Sequence, residues 1–445
     1  LGNMGKKFVL IGAGSYVFTR NLVRDILTFP AFQDATIALV DINPENLENA
    51  RQAVERIIEA GRYPAKVIAT TDRAEALPGA DGVLSMLMAQ PLEVFKNDLL
   101  ICERYGVKTC VGDTRGAAGI FRFLRTVPVM LDILSDIQRY CPGAVFLNYT
   151  NPMAMLCRAM QEAAPEVTIT GLCHSVQGGI YKFAQILGVP AEEITYLCAG
   201  INHMAYYLKL EHNGRDLYPE LRRRTLEDKE VYESDIVRNE VFLALGYYVT
   251  ESSGHFSEYS PWFRKREDLL QEYCYRGTSW NTGRTNFTIE TREERARNFP
   301  EELRKFLTEP IDLARGNEYA SHIFNAMLGD GTLYKFNGNV RNFGLVDNLP
   351  YGACVEVPVV AGKDGLMPVH VGKIPDEVLP LMSLSSQIEE MAVRASFEGD
   401  PELVYKAICY DPLTSAVLSL REIRQMVDEL FAFSKPWLRQ FKHLK

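Results

Sequence analysis

Near its start the chain runs Phe8-Val9-Leu10-Ile11, turns through Gly12-Ala13-Gly14-Ser15, and continues in a helix-patterned stretch from about Asn21 to Leu27. A second apolar run, Thr36-Ile37-Ala38-Leu39-Val40, ends at Asp41. This order severely limits the possible folds. A strand closed by glycines and opening straight into a helix brings backbone N–H groups close to a diphosphate, which the helix N-terminus favours. An acidic residue closing the next strand can accept from both hydroxyls of a ribose. A full Gly-x-Gly-x-x-Gly would need a third glycine where Val17 stands, and such turns can require glycine for steric reasons alone. Asp41 is what tips the reading. Gly12, Gly14, Ser15 and Asp41 are expected to bind a dinucleotide, and a carboxylate there would repel a 2′-phosphate, favouring NAD over NADP.

The rhythm continues with apolar runs at 67–69, 82–88, 144–147 and 168–172, separated by helix-patterned segments. Short apolar strands alternating with helices predict an α/β, doubly wound parallel sheet. We expect this Rossmann-like, NAD-binding domain over residues 5–200. Beyond Ala199 the rhythm breaks. Charged helical stretches fill 201–330, with a polar, Arg-rich loop or surface helix at 276–300; strands and turns follow at 336–380, and helices at 384–441. Residues 201–445 therefore read as an α+β domain for substrate binding and oligomerisation. No internal repeat or low-complexity tract occurs.

With 445 residues the chain can bury a large core without disulfide or metal staples. A net charge of −9 without a basic stripe argues against nucleic acid as a partner. No apolar run reaches the roughly 18 residues of a membrane span, and no secretory leader pattern is present. Nine scattered cysteines without CxxC pairs fit reduced thiols in a cytoplasm. Leu1-Gly2-Asn3 ahead of Met4 reads as a cloning remnant.

Three polar motifs follow apolar runs: Asn148-Tyr149-Thr150-Asn151-Pro152, Gly171-Leu172-Cys173-His174-Ser175, and Cys198-Ala199-Gly200-Ile201-Asn202-His203-Met204. In an open α/β sheet the carboxyl ends of the strands form the ligand crevice, so these motifs are expected to build an active site. Cys173 and His203 could offer a thiolate and an imidazole to a divalent metal. Taken alone, a cysteine is more often a buried small hydrophobe and a histidine more often a hydrogen-bonded core residue, and neither spacing nor clustering decides.

Taken together, Gly12-Ala13-Gly14-Ser15, Asn151-Pro152, Cys173-His174-Ser175-Val176-Gln177-Gly178 and Gly200-Ile201-Asn202-His203-Met204 resemble glycoside hydrolase family 4, the NAD- and divalent-metal-dependent glycosidases. The likeness extends through Thr250-Glu251-Ser252-Ser253, His255–Trp262, Asn339-Val340-Arg341-Asn342 and Asp347-Asn348-Leu349-Pro350. The Cys-His-Ser and Asn-His-Met runs look like the melibiose-type α-galactosidase branch. The resemblance implies NAD and Mn2+ as cofactors, a lactate/malate dehydrogenase-like architecture, a homodimer or homotetramer, and a sugar as the partner.

The resemblance also implies a redox-assisted elimination, outside the usual two-carboxylate scheme. Hydride leaves sugar C3, the resulting ketone acidifies the C2 proton, the C1–O bond breaks, water adds, and the hydride returns. Carried over residue by residue, Cys173 and His203 are the metal ligands and Tyr259 is the base at C2. Asn151 bonds sugar hydroxyls, with Asn148 named beside it although a strand-end cap is its plain alternative. Asp113 lies near cofactor and substrate. Members acting on 6-phospho-glucosides carry an acidic residue after the metal cysteine; here His174 stands there and is the general acid to expect. The stretch Ala89-Gln90-Pro91-Leu92-Glu93 lacks the basic residues of phospho-specific members, which points to an unphosphorylated α-galactoside. An α-glucoside or α-uronide is the alternative within the family. An NAD-dependent 2-hydroxyacid dehydrogenase is the alternative outside it.

Overall fold

A computed structural model describes residues 5–444; the Leu1-Gly2-Asn3 stretch lies outside the described residues. Twelve strands are defined: β1 (Lys7–Ile11), β2 (Thr36–Val40), β3 (Lys66–Thr70), β4 (Gly82–Ser85), β5 (Val145–Asn148), β6 (Thr168–Gly171), β7 (Ile194–Ala199), β8 (Tyr206–His212), β9 (Arg215–Asp216), β10 (Tyr334–Arg341), β11 (Cys354–Gly362) and β12 (Gly365–Pro368). Nine form one sheet in the order β12-β11-β10-β6-β5-β4-β1-β2-β3. The run from β3 to β6 is wholly parallel, with Leu10 paired to Leu39 on one side and to Leu84 on the other. This is the doubly wound sheet read from the sequence.

Alternation along β1 explains its unbroken apolarity. Phe8 and Leu10 join the core on one face, while Val9 and Ile11 join the core on the other. Successive strand side chains point to opposite faces, so a strand covered by helices on both sides is apolar throughout. The second face is closed by the long helix Gly116–Tyr140, whose Ile120, Phe123, Leu124, Val127 and Ile133 are buried. At the far edge β3 is largely uncovered, and Val67 and Ala69 only pack against the rim.

Two features differ from the sequence reading. The strands at 334–368 do not form a sheet of their own. β10 lies antiparallel beside β6 through Asn339 and Gly171, and the Asn339 side-chain amide donates to the Gly171 carbonyl at 3.1 Å. The open edge of the parallel sheet is thereby covered. The strand β7, by contrast, leaves the main sheet and pairs with β8, which in turn pairs with β9, in a separate antiparallel sheet. His203 therefore does not stand at the end of a parallel strand, as the sequence suggested. Its segment is tied in through Gly200 and Glu356 of β11, which exchange both backbone hydrogen bonds at 3.0 and 2.8 Å.

Candidate active site

The glycine turn is built by contacts that no side chain would tolerate. Gly12 has φ of +84°, and a Cβ there would lie 2.8 Å from the Leu87 backbone. A Cβ on Gly14 would come within 2.6 Å of Asp41 Oδ2, because the Gly14 N–H donates to that oxygen at 2.7 Å. The other oxygen of Asp41 accepts from the Asn43 N–H at 2.9 Å. Ser15 caps the helix Tyr16–Leu27 without a side-chain hydrogen bond, so the first N–H groups of that helix face the turn free of a side-chain cap.

Beside this turn opens a cavity of about 580 Å³ whose lining includes Gly12, Gly14, Ser15, Asp41, Arg122 and Asn151. Its volume and glycine cradle fit a dinucleotide. The structure thus brings together the four residues assigned to the cofactor and adds Asn151. Asn148 is elsewhere. It is fully buried, accepting from Ser85 Oγ at 2.7 Å and the Thr150 N–H at 3.0 Å, and donating to the Thr150 carbonyl at 3.0 Å. Its amide is committed to closing the end of β5.

A second cluster lies where the motifs converge. Donor atoms of Cys173, His203 and Glu251 all fall within 4.8 Å of one another. A thiol, an imidazole and a carboxylate at that spacing suit a divalent transition metal. Cys173 follows β6; His203 sits in a turn with φ of +64°; Glu251 precedes the helix Ser253–Tyr259, which carries His255, Glu258 and Tyr259. Glu251 belongs to a motif noted in the sequence, yet nothing in that motif marked it as a ligand. Only its distance from His203 does so: Glu251 Oε2 is 3.2 Å from His203 Nε2 and Oε1 is 3.3 Å from His255 Nδ1.

The charges within the cluster are strongly coupled. Burial drives the His203 pKa down to about 4 despite the opposing Glu251, leaving a neutral imidazole able to ligate. Burial works against the Glu251 charge, but His255, His203 and the Ser252 N–H outweigh it and hold the carboxyl at about 2. Burial, with Glu251 and Glu356 nearby, raises the Cys173 thiol well above its ordinary value; a bound cation reverses that preference by favouring thiolate.

The remaining assigned residues divide clearly. Tyr259 is buried with its hydroxyl 3.1 Å from His203 Nδ1. Burial and the charges of Asp113, Glu258 and Glu251 push its pKa well above 10, and Arg115 opposes them from 5.4 Å over the ring. Asp113 accepts from Thr114 Oγ1 at 2.9 Å, and that hydroxyl is also 3.2 Å from His203 Nδ1. Although burial disfavours its charge, His255, Arg122 and His203 keep Asp113 below the usual carboxylate range. His174 is the exposed member. It occupies the N-cap of the helix Ser175–Leu187 with Nδ1 3.6 Å from Glu318 Oε1.

The structure also supplies positive charge that the sequence reading overlooked. Arg122 and Arg292 line the same cavity as Met88, Ala89, Gln90 and Pro91. Arg122 is buried with Nη1 unpartnered and its guanidinium 5.0 Å from the Phe95 ring centre. Burial lowers its pKa to about 10, Asp113 opposing. Arg292 approaches the Met88 sulfur at 3.8 Å.

Comparison with known proteins identifies the family. Residues 7–189 match the family 4 glycosyl hydrolase model, and residues 198–414 match the model of its C-terminal domain. An α-galactosidase of Rhizobium meliloti is 38% identical over 98% of this chain and 90% of its own length. An α-galactosidase of Bacillus subtilis is 38% identical over 98% of this chain and all of its own length. Among solved structures, a 6-phospho-α-glucosidase from gut microorganisms, in complex with NAD and Mn2+, has the same fold. Its TM-score is 0.81 at 20% identity, covering 97% of this chain and 99% of that one. With these two models matched over residues 7–189 and 198–414 and relatives aligned along nearly its whole length, the chain belongs to glycosyl hydrolase family 4 rather than to the 2-hydroxyacid dehydrogenases.

Proposed function

We propose that this glycoside hydrolase cleaves unphosphorylated α-galactosides of the melibiose type, using NAD and Mn2+. One observation carries the reading: the helix Ser253–Tyr259 and the Glu251 that precedes it set the Tyr259 hydroxyl and the Glu251 carboxylate at opposite nitrogens of His203, beside Cys173. The two relatives named α-galactosidase support the choice of sugar. When bound, NAD supplies a hydride acceptor for sugar C3 and the metal ion supplies Lewis-acid polarisation of the neighbouring oxygen.

This chain's own residues do the rest. Cys173, His203 and Glu251 hold the ion, Asp41 takes the ribose hydroxyls, and Asn151 orients the sugar. Tyr259 removes the C2 proton. Its raised pKa makes it a poor base by itself, so its activity depends on positive charge at the donor set beside it. His174, adjacent to Cys173, protonates the leaving oxygen. The division of the chain at residue 200, a cytoplasmic location and a homodimer or homotetramer belong to the same reading, and light scattering of the purified protein tests the assembly. The central test is a panel of nitrophenyl glycosides with catalytic NAD and Mn2+. Faster release from an α-galactoside than from any 6-phospho-glycoside is expected; the reverse order, or full activity without NAD, overturns the reading.

Arg122 and Arg292 favour a second reading in which the galacto-configured sugar carries a C6 carboxylate. Guanidinium groups recognise carboxylates through paired hydrogen bonds. An α-galacturonide should then outperform the α-galactoside in kcat/KM, and Arg122→Gln should erase that advantage.

A further inference from the structure

The helix Ser253–Tyr259 carries, immediately before the tyrosine, a carboxylate with no assigned part in the reaction. Glu258 is buried, and among the described residues its hydrogen bonds all come from one segment of backbone. Its Oε2 accepts from the N–H groups of Cys110 and Val111 at 2.9 and 3.1 Å, and its Oε1 accepts from the Gly112 N–H at 2.8 Å. Three consecutive amides thus converge on one side chain. Gly112 has φ of +65°, and a Cβ there would come within 2.3 Å of Leu99, so this bend is closely packed from outside. The next residues are Asp113, which lies near Arg122 and His203; Thr114, bonded to Asp113 and His203; and Arg115, which stacks over the Tyr259 ring.

Two pieces of the site, distant in sequence, are therefore fastened by a single carboxylate. On one side is the loop carrying Asp113, Thr114 and Arg115. On the other is the helix carrying His255 and Tyr259. A buried N–H deprived of its acceptor is left desolvated and unpaired, so the three donors favour the register in which Glu258 meets all of them. We propose that Glu258 is a positioning residue: it fixes the Asp113–Arg115 loop against Tyr259, so that the groups acting on one sugar ring keep their mutual distance. The argument rests on the glycosidase reading for what Tyr259 does, but the clamp exists independently of substrate.

Glu258→Gln replaces one accepting oxygen with an N–H donor, which must face a backbone N–H. Glu258→Asp keeps the charge but is one methylene too short to reach all three amides. Amide hydrogen exchange reads the clamp directly, without substrate or cofactor. Cys110, Val111 and Gly112 should exchange slowly in the wild type and at least tenfold faster in either variant, while the NAD-cavity segments are unchanged. On whichever glycoside the wild type hydrolyses, each variant should lose roughly 10–100-fold in kcat with KM for NAD preserved, and the C2-deuterium isotope effect should rise. The double variant Glu258→Gln/Asp113→Asn should be little slower than Asp113→Asn alone, because Glu258 acts through that loop. A purely structural role would lower the amount of folded enzyme and leave the isotope effect where it was. Unchanged exchange at 110–112, or additive losses in the double variant, overturns the proposal. A wild type inactive on every glycoside overturns the functional reading instead, and the exchange result stands on its own.

Discussion

Glu251 Oε2 stands 3.2 Å from His203 Nε2, while the other nitrogen of that imidazole stands 3.1 Å from the Tyr259 hydroxyl. One histidine thus joins the donor set to the base. If Glu251 is the third ligand, replacing it should do more than alter a surface charge. Changing even the outer partners of metal ligands typically costs 10–100-fold in affinity. Glu251→Gln should therefore weaken Mn2+ binding by about 100-fold or more, measured by titration with electron paramagnetic detection, and Cys173→Ala should do the same. Wild-type manganese affinity in either variant removes that residue from the donor set.

Asp41 has a double task, because the carboxylate expected to meet ribose also receives the Gly14 N–H. Asp41→Ala should weaken NAD by about 1.5–3 kcal/mol, the usual worth of a charged hydrogen bond, and narrow the preference over NADP. Calorimetric titration with both dinucleotides checks this. A wild type that prefers NADP contradicts it.

Tyr259→Phe removes only the hydroxyl and keeps a ring that packs against buried neighbours. Activity should fall by roughly 10²–10⁴-fold, the range for a missing general base, with the melting temperature nearly unchanged. In heavy water the wild type should release sugar carrying deuterium at C2. Full activity in Tyr259→Phe would shift the search for the base to Asp113.

Glu356 gives a pH dependence of opposite sign to that of most carboxylates. It is fully buried, and among the described residues its Oε1 has no partner and the Oδ1 atoms of Asn202 and Asn339 around it lack donors. Burial raises its pKa to about 7, against the donated amides of Asn202 and Asn339. Between about 4.5 and 7 the folded state therefore holds a proton that the unfolded state has lost. Its contribution to stability is complete at lower pH and disappears as pH rises through that window, by about 3 kcal/mol in all. In metal-free protein, Glu356→Gln should flatten this part of the stability curve, as followed by denaturant melts from pH 5 to 8. An unchanged slope would refute the buried proton.

The pattern of apolar strands, the glycine turn and Asp41 were legible in the sequence because they are local. Strand alternation, a left-handed glycine and a strand-end acid each act within a few residues, so order along the chain records them directly. Cys173, His203 and Tyr259 were identifiable through motifs, although spacing alone left their chemistry open. Tertiary structure decided what depends on side chains meeting across distant segments. It gave Glu251 a role by placing it against His203, and it committed Asn148 to its own strand end. It moved β7 into a separate sheet, because its backbone donors pair with β8. It also brought Arg122 and Arg292 to the cavity wall formed by Met88–Pro91, a stretch with no basic residue of its own. Electrostatics and coordination depend on distance in space, and a chain returning from residue 251 or 292 to meet residue 203 or 88 leaves no periodic trace of that meeting in its sequence.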